Sequence, residues 1–113
     1  MGKILDWLFP PRQRRKDDLT NAYFRICEKG YLYSSDTSAG LAWEVIYYDG
    51  YCLGKEALFR SPKGTFFIIR FYGGPPRFVR TLNVQQAKDW YFSYPNKTLS
   101  FEEAFPGENL GLG

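Results

Sequence analysis

The sequence predicts a small α+β domain: an N-terminal helix, a four- to five-stranded antiparallel meander sheet, and a C-terminal helix packed on that sheet. Three observations predict it. At 113 residues the chain has room for one domain, which at this size buries roughly two-thirds of its unfolded surface. From Tyr31 to Leu82 short apolar, β-branched and aromatic runs alternate with turn residues, and no connector is long enough for a helical crossover. On either side of that region the apolar residues take up helical spacing.

Residues 1–16 form an apolar and basic N-terminal segment, MGKILDWLFPP followed by RQRRK. Its apolar run is broken by Asp6 and precedes its strongest basic run, so it reads neither as a secretory signal peptide nor as a membrane span. Trp7, Leu8 and Phe9 beside Arg12–Lys16 allow a weak membrane contact and no more. Asp6 stands where N-myristoylation needs Ser or Thr. Residues 17–95 make the single domain. Asp17 or Asp18 can cap a first helix, Leu19, Ala22, Tyr23 and Ile26 fall at i, i+3, i+4 and i+7, and Gly30 supplies a stop.

Strands follow at YLYS (31–34), LAWEVIYY (41–48), EALFR (56–60), TFFIIRFY (65–72) and RFVRTL (77–82). The run from Thr65 to Tyr72 is the candidate central strand. Phe67, Ile69 and Phe71 point one way and Phe66, Ile68, Arg70 and Tyr72 the other, so the sheet should be covered on both faces at the Phe66 end and open, or covered only by a partner, near Arg70 and Tyr72. Asn83 with Gln86 makes a capping-box start for a helix that Pro95 ends, with Val84, Ala87, Tyr91 and Tyr94 on one stripe. Residues 96–113 are expected as a tail, partly disordered, with one short element at FEEAF.

Composition excludes several chemistries. There is no histidine, which removes the commonest general base, the usual catalytic triads and mixed Cys/His zinc sites. No metal and no cofactor is expected. Cys27 and Cys52 are too few for a disulfide framework. A single bridge between them stays open, and two buried, reduced thiols in a cytoplasmic protein are the simplest reading. Glu44, Asp49 and Glu56 lie on neighbouring strands or turns and offer carboxylates, while the SSDTS loop at 34–38 offers hydroxyls that turns also favour.

Net charge is +3, mildly suited to an anionic partner. Its distribution is uneven: Arg60, Lys63, Arg70, Arg77, Arg80 and Lys88 occur between Ala57 and Lys88 without one acidic residue. The stretch RFYGGPPRFVR at 70–80 resembles a glycine loop, but Pro75 and Pro76 have no N–H to aim at a phosphate and a strand follows instead of a helix. It reads as a turn between strands. Aromatic residues make up 19% of the chain, and Tyr47, Tyr48 and Tyr51 around the Asp49–Gly50 turn cannot all be buried on one side of a strand, so some should be exposed.

Tyr33 with SDTSA, LFRSPKGTFFI, YGG and TLNVQQAKDW together resemble a pattern in small proteins of bacterial phages and integrated mobile elements, over roughly residues 29 to 92. The chain departs from that pattern at Pro75–Pro76, where such proteins carry a longer polar insertion, and in its N-terminal basic region. The resemblance implies a fold type and a bacterial or phage origin, and it carries no activity and no catalytic residue.

The functional expectation is a non-enzymatic, cytoplasmic binding protein acting on another macromolecule, a protein first, through exposed aromatics and arginines on the sheet: Arg60, Arg70, Tyr72, Arg77, Phe78 and Arg80. A nucleic-acid binder using the same basic patch is the first alternative. A small enzyme using carboxylates is the second.

Overall fold

The computed structural model describes residues 22–109. Its strand-rich middle follows from hydrophobic alternation in both directions. Along the strand Phe66–Phe71, Phe66 and Ile68 enter one core while Phe67 and Ile69 enter another, so every second residue faces the opposite side of the sheet and both sides are covered. In chain order the strands are β1 (Arg25–Glu28), β2 (Tyr31–Ser34), β3 (Ala39–Tyr48), β4 (Tyr51–Arg60), β5 (Phe66–Phe71), β6 (Arg77–Leu82) and β7 (Asn96–Lys97). The helices among the described residues are α1 (Val84–Ser93) and α2 (Phe101–Ala104).

β3 to β6 form the expected antiparallel meander, and β7 adds to the far edge of β3, giving a five-stranded sheet in the order β6-β5-β4-β3-β7. β4, and not β5, holds the middle place. One face carries α1 and α2. There Leu41, Ala42, Leu58, Phe66, Ile68 and Leu82 pack against Ala87, Tyr91, Tyr94, Ala104 and Phe105. A bulge between Gly40 and Ala42 sets Leu41 and Ala42 on this same side, which strict alternation would have divided. Asn83 caps α1 with the reciprocal Gln86 bond its spacing predicts, and Ser100 with Glu103 does the same for α2.

The opposite face carries the β1–β2 hairpin. Phe24 and Tyr33 pack with Trp43, Ala57, Phe59, Phe67 and Ile69. Phe24 meets Phe59 edge-on at 4.7 Å, and Tyr33 lies 4.8 Å from both Phe67 and Phe78, separations at which aromatic pairs attract.

The expected N-terminal helix does not form at its C-terminal end. Arg25–Glu28 is strand, paired antiparallel with Tyr31–Ser34, and the earlier part of the proposed helix, with the whole 1–16 segment, lies outside the described residues. Lys29 and Gly30 take φ values of 52° and 84°, the paired positive angles of a type I′ hairpin turn. Gly30 therefore turns a hairpin and does not stop a helix. The segment from Asn96, expected as a tail, supplies β7 and α2 and buries Ala104 and Phe105 in the helix-side core. Cys27 and Cys52 are both free and both exposed, not buried, because Cys27 points away from the face that Phe24 and Ile26 share and Cys52 sits near the tip of the β3–β4 hairpin.

Candidate functional site

β3 and β4 are ten residues each, but β5 pairs with β4 only from Lys55 to Arg60, and β7 pairs with β3 only at Ala42 and Trp43. The distal half of the β3–β4 hairpin therefore projects as a two-stranded arm, roughly 13 Å beyond the last β4–β5 pair at the rise of an extended strand. Asp49 and Gly50, with φ of 51° and 81°, form its type I′ tip. Tyr48 and Tyr51 face each other beside the tip, with Tyr47 and Cys52 the next pair. Adjacent pairs point to opposite faces, so both sides of the arm carry tyrosine. Tyr47, Tyr48 and Tyr51 are 65–73% exposed, and Leu53 is exposed with them.

The arm is anchored by close backbone contact. Gly54 sits at φ 149°, where a Cβ would fall 2.0 Å from the Phe71 carbonyl oxygen and 2.9 Å from Tyr72 Cα. Only glycine permits β4 to lie this close to the end of β5. Tyr72, itself exposed, thereby joins the base of the arm.

Below it runs a polar row. Glu44 opposes Glu56, Glu56 opposes Arg70, and Arg70 opposes Arg77, and directly opposed residues share a face, here the face that carries the helices. Glu56 is only 4% exposed. Its Oε1 accepts a 2.7 Å bond from the Tyr94 hydroxyl, and its Oε2 accepts from Arg70 Nε, so the charge is paired and bonded as burial demands. The bond to Glu56 raises the Arg70 pKa further above its usual range. Burial, then the bond to Glu56, drives the Tyr94 phenol well above its ordinary value. Glu44 is raised by burial first and by the neighbouring Glu56 charge second.

The six residues expected as a binding patch are dispersed by this geometry. Arg70, Tyr72 and Arg77 meet at the arm's base. Phe78 lies on the other face, stacked on Phe67 with ring centroids 5.7 Å apart. Arg60 sits at the far end of β4, donating to the carbonyls of Glu103 and Ala104 at the end of α2, where a cation suits the helix dipole. Arg80, displaced by a bulge in β6, is exposed and lines a cleft with Glu28, Lys29 and Tyr31. Lys88 pairs with Glu108 at 2.8 Å. The basic run read from sequence is thus partly consumed within the fold: Arg60, Arg70 and Lys88 have internal partners.

The carboxylates divide likewise. Glu56 is locked on both oxygens, Glu44 stands beside it, and Asp49 occupies the exposed arm tip. In the SSDTS loop Ser34 and Thr37 bond each other at 3.1 Å and Ser35 bonds the Phe24 backbone, so these hydroxyls serve the turn. The GGPP stretch is the β5–β6 connection, as its prolines imply. Among the described residues no group of His, Cys, Asp and Glu is placed to hold a metal ion, and no helix is long and apolar enough to cross a membrane.

The tyrosines flanking Asp49–Gly50 are expected from sequence to be partly exposed but are not among the expected site residues. The available signal was composition, tyrosines beside an Asp-Gly turn, while the overhang of two ten-residue strands beside one of six shows only in the pairing. Comparison with protein-family models, curated proteins and solved structures finds no match for this chain.

Proposed function

We propose that the chain is a non-enzymatic binding protein of bacterial or phage origin, acting in the cytoplasm, that docks another protein through the β3–β4 arm and the Arg70–Tyr72–Arg77 surface at its base. The observation that carries this reading is the arm itself: a ribbon that no other strand flanks among the described residues, with tyrosine on both faces and exposed Leu53. Two strands alone are marginal in water, and tyrosine supplies large contact area at low conformational cost. Tyrosine and arginine are also the residues enriched in protein interfaces. A protein partner is favoured over nucleic acid because the arm carries no basic residue from Val45 to Gly54 and because Arg70 is already paired. The engagement of both Glu56 oxygens supports a binding role over carboxylate catalysis.

The test begins with capture from the source cell and proceeds to titration of the captured partner. Replacing Tyr47, Tyr48 and Tyr51 together by serine weakens that partner by at least about thirtyfold, the loss typical of removing an aromatic anchor. Raising the salt from 50 to 200 mM changes affinity little. Unchanged affinity in the triple variant contradicts the reading. A steep salt dependence with oligonucleotides as the captured species favours nucleic-acid binding instead.

A further inference from the structure

A second feature stands apart from the arm. The β1–β2 hairpin and the turn joining β4 to β5 enclose a half-open cleft of about 530 Å³, lined by Tyr31, Leu32, Tyr33, Thr37, Ser61, Pro62, Lys63 and Thr65 with Gly30. That volume is in the range of small-molecule sites. The cleft joins two stretches that are far apart in the chain, the SSDTS loop and the SPKG turn.

Its chemistry is one-sided. Tyr31, Leu32, Tyr33 and Pro62 give it apolar walls, and Tyr31 and Leu32 are exposed at its rim. Among the described residues of the lining Lys63 alone is charged. Its ammonium lies 5.9 Å from the centre of the Tyr31 ring, and it makes no ion pair with a carboxylate among the described residues. The turn that presents it is firmly built: Ser61 N–H donates to the Thr65 carbonyl at 2.8 Å, Gly64 N–H to the Ser61 carbonyl at 2.9 Å, and Thr65 N–H to Ser61 Oγ at 3.1 Å. Because Ser61 Oγ accepts that last bond, its own O–H proton is left to donate. A cation, a hydroxyl donor and an aromatic wall, with no acidic residue among the described residues of the lining, complement one type of guest.

We infer that this cleft binds a small organic carboxylate with an aromatic or branched apolar body, the body against Tyr31, Leu32 and Pro62 and the carboxylate at Lys63 and Ser61. The neutral, apolar walls exclude water from part of the ion pair, which strengthens it relative to a fully exposed one. The site is independent of the arm, so a partner bound there leaves it open.

The test is an amide-shift titration of the full chain with 3-phenylpropionate, with 3-phenylpropylamine as the cationic counterpart of the same body. The acid saturates and shifts the amides of Tyr31, Leu32, Thr37, Ser61, Lys63, Gly64 and Thr65. The amine binds at least roughly tenfold more weakly, as does the acid to Lys63→Glu, a charge reversal at an exposed turn position. Leu32→Ser, also at an exposed side chain, weakens acid and amine alike. Absence of saturable shifts at millimolar acid, shifts centred elsewhere, or equal affinity for acid and amine overturns the proposal. The unperturbed spectrum of each variant away from the cleft confirms that folding is intact.

Discussion

Glu56 shows how much one side chain can fix. Buried between Tyr94 and Arg70, it ties the end of α1 to β4 and β5 at the boundary between covered and open sheet. Tyr94→Phe keeps the ring and removes the donor to Oε1, and it costs about 1–3 kcal/mol in urea unfolding at neutral pH, the penalty for orphaning a buried acceptor. The same phenol governs alkaline behaviour. Its folded pKa is raised, so its contribution is complete below the ordinary tyrosine value and is lost as pH rises above about 10, where the unfolded chain ionises and the folded one does not. Stability measured from pH 8 to 11 therefore falls, and less steeply in Tyr94→Phe. Glu44 follows the same sign at acid pH. Its carboxylate faces that of Glu56 across the strands and its pKa is raised, so the folded state favours its protonated form and loses stability as pH rises through that raised value. Glu44→Gln gains about 0.2–1 kcal/mol at pH 7 by removing a like-charge pair, and the gain disappears near pH 3 in thermal unfolding. None of this was readable from local sequence. Cross-strand register placed Glu44, Glu56 and Arg70 side by side, and register depends on turn lengths and bulges at several positions.

At the scale of elements, the sequence was most legible where a pattern is local. The strand Arg77–Leu82 and the start of α1 at Val84 coincide with expectation, since turn residues bound the first and a capping box fixes the second. The first hairpin is ambiguous in sequence: Leu19, Ala22, Tyr23 and Ile26 satisfy a helical period, while Ala22, Phe24 and Ile26 equally satisfy a strand period. Packing decides between them. The two-residue period puts Phe24 beside Phe59 and Phe67, and the Lys29–Gly30 turn closes the ribbon. The arm was legible in composition and illegible in extent, because β5 stops pairing with β4 at Lys55 and Phe71, a matter of cross-strand register that no local pattern announces; β4 still passes close to the end of β5 at Gly54. Gly54→Ala forces a Cβ against the Phe71 carbonyl. It destabilises the domain by roughly 3 kcal/mol, at the upper end of overpacking costs, and urea unfolding measures it. A loss within a few tenths of a kcal/mol means that the two strands part there without penalty.

At the scale of the molecule, one sheet separates two cores that draw on different parts of the chain. The helix-side core closes with residues up to Phe105, and the other closes with the hairpin that begins near Phe24. The α+β class and the meander were evident from spacing, whereas the hairpin's position across the sheet depends on contacts between Tyr33 and Phe67 or Phe78 that no nearby residue announces. Both cores cover the sheet toward its Phe66 end. At the opposite end the arm, Tyr72 and Arg77 are exposed with no cover among the described residues, and that end is the one proposed to meet a partner. Hydrogen exchange of the full chain with and without its captured partner tests this most directly. The account predicts slowed exchange from Ile46 to Leu53 and around Tyr72 and Arg77, with α1 and α2 unchanged; protection confined to the helices or to the β1–β2 hairpin, with the arm exchanging as before, would contradict it.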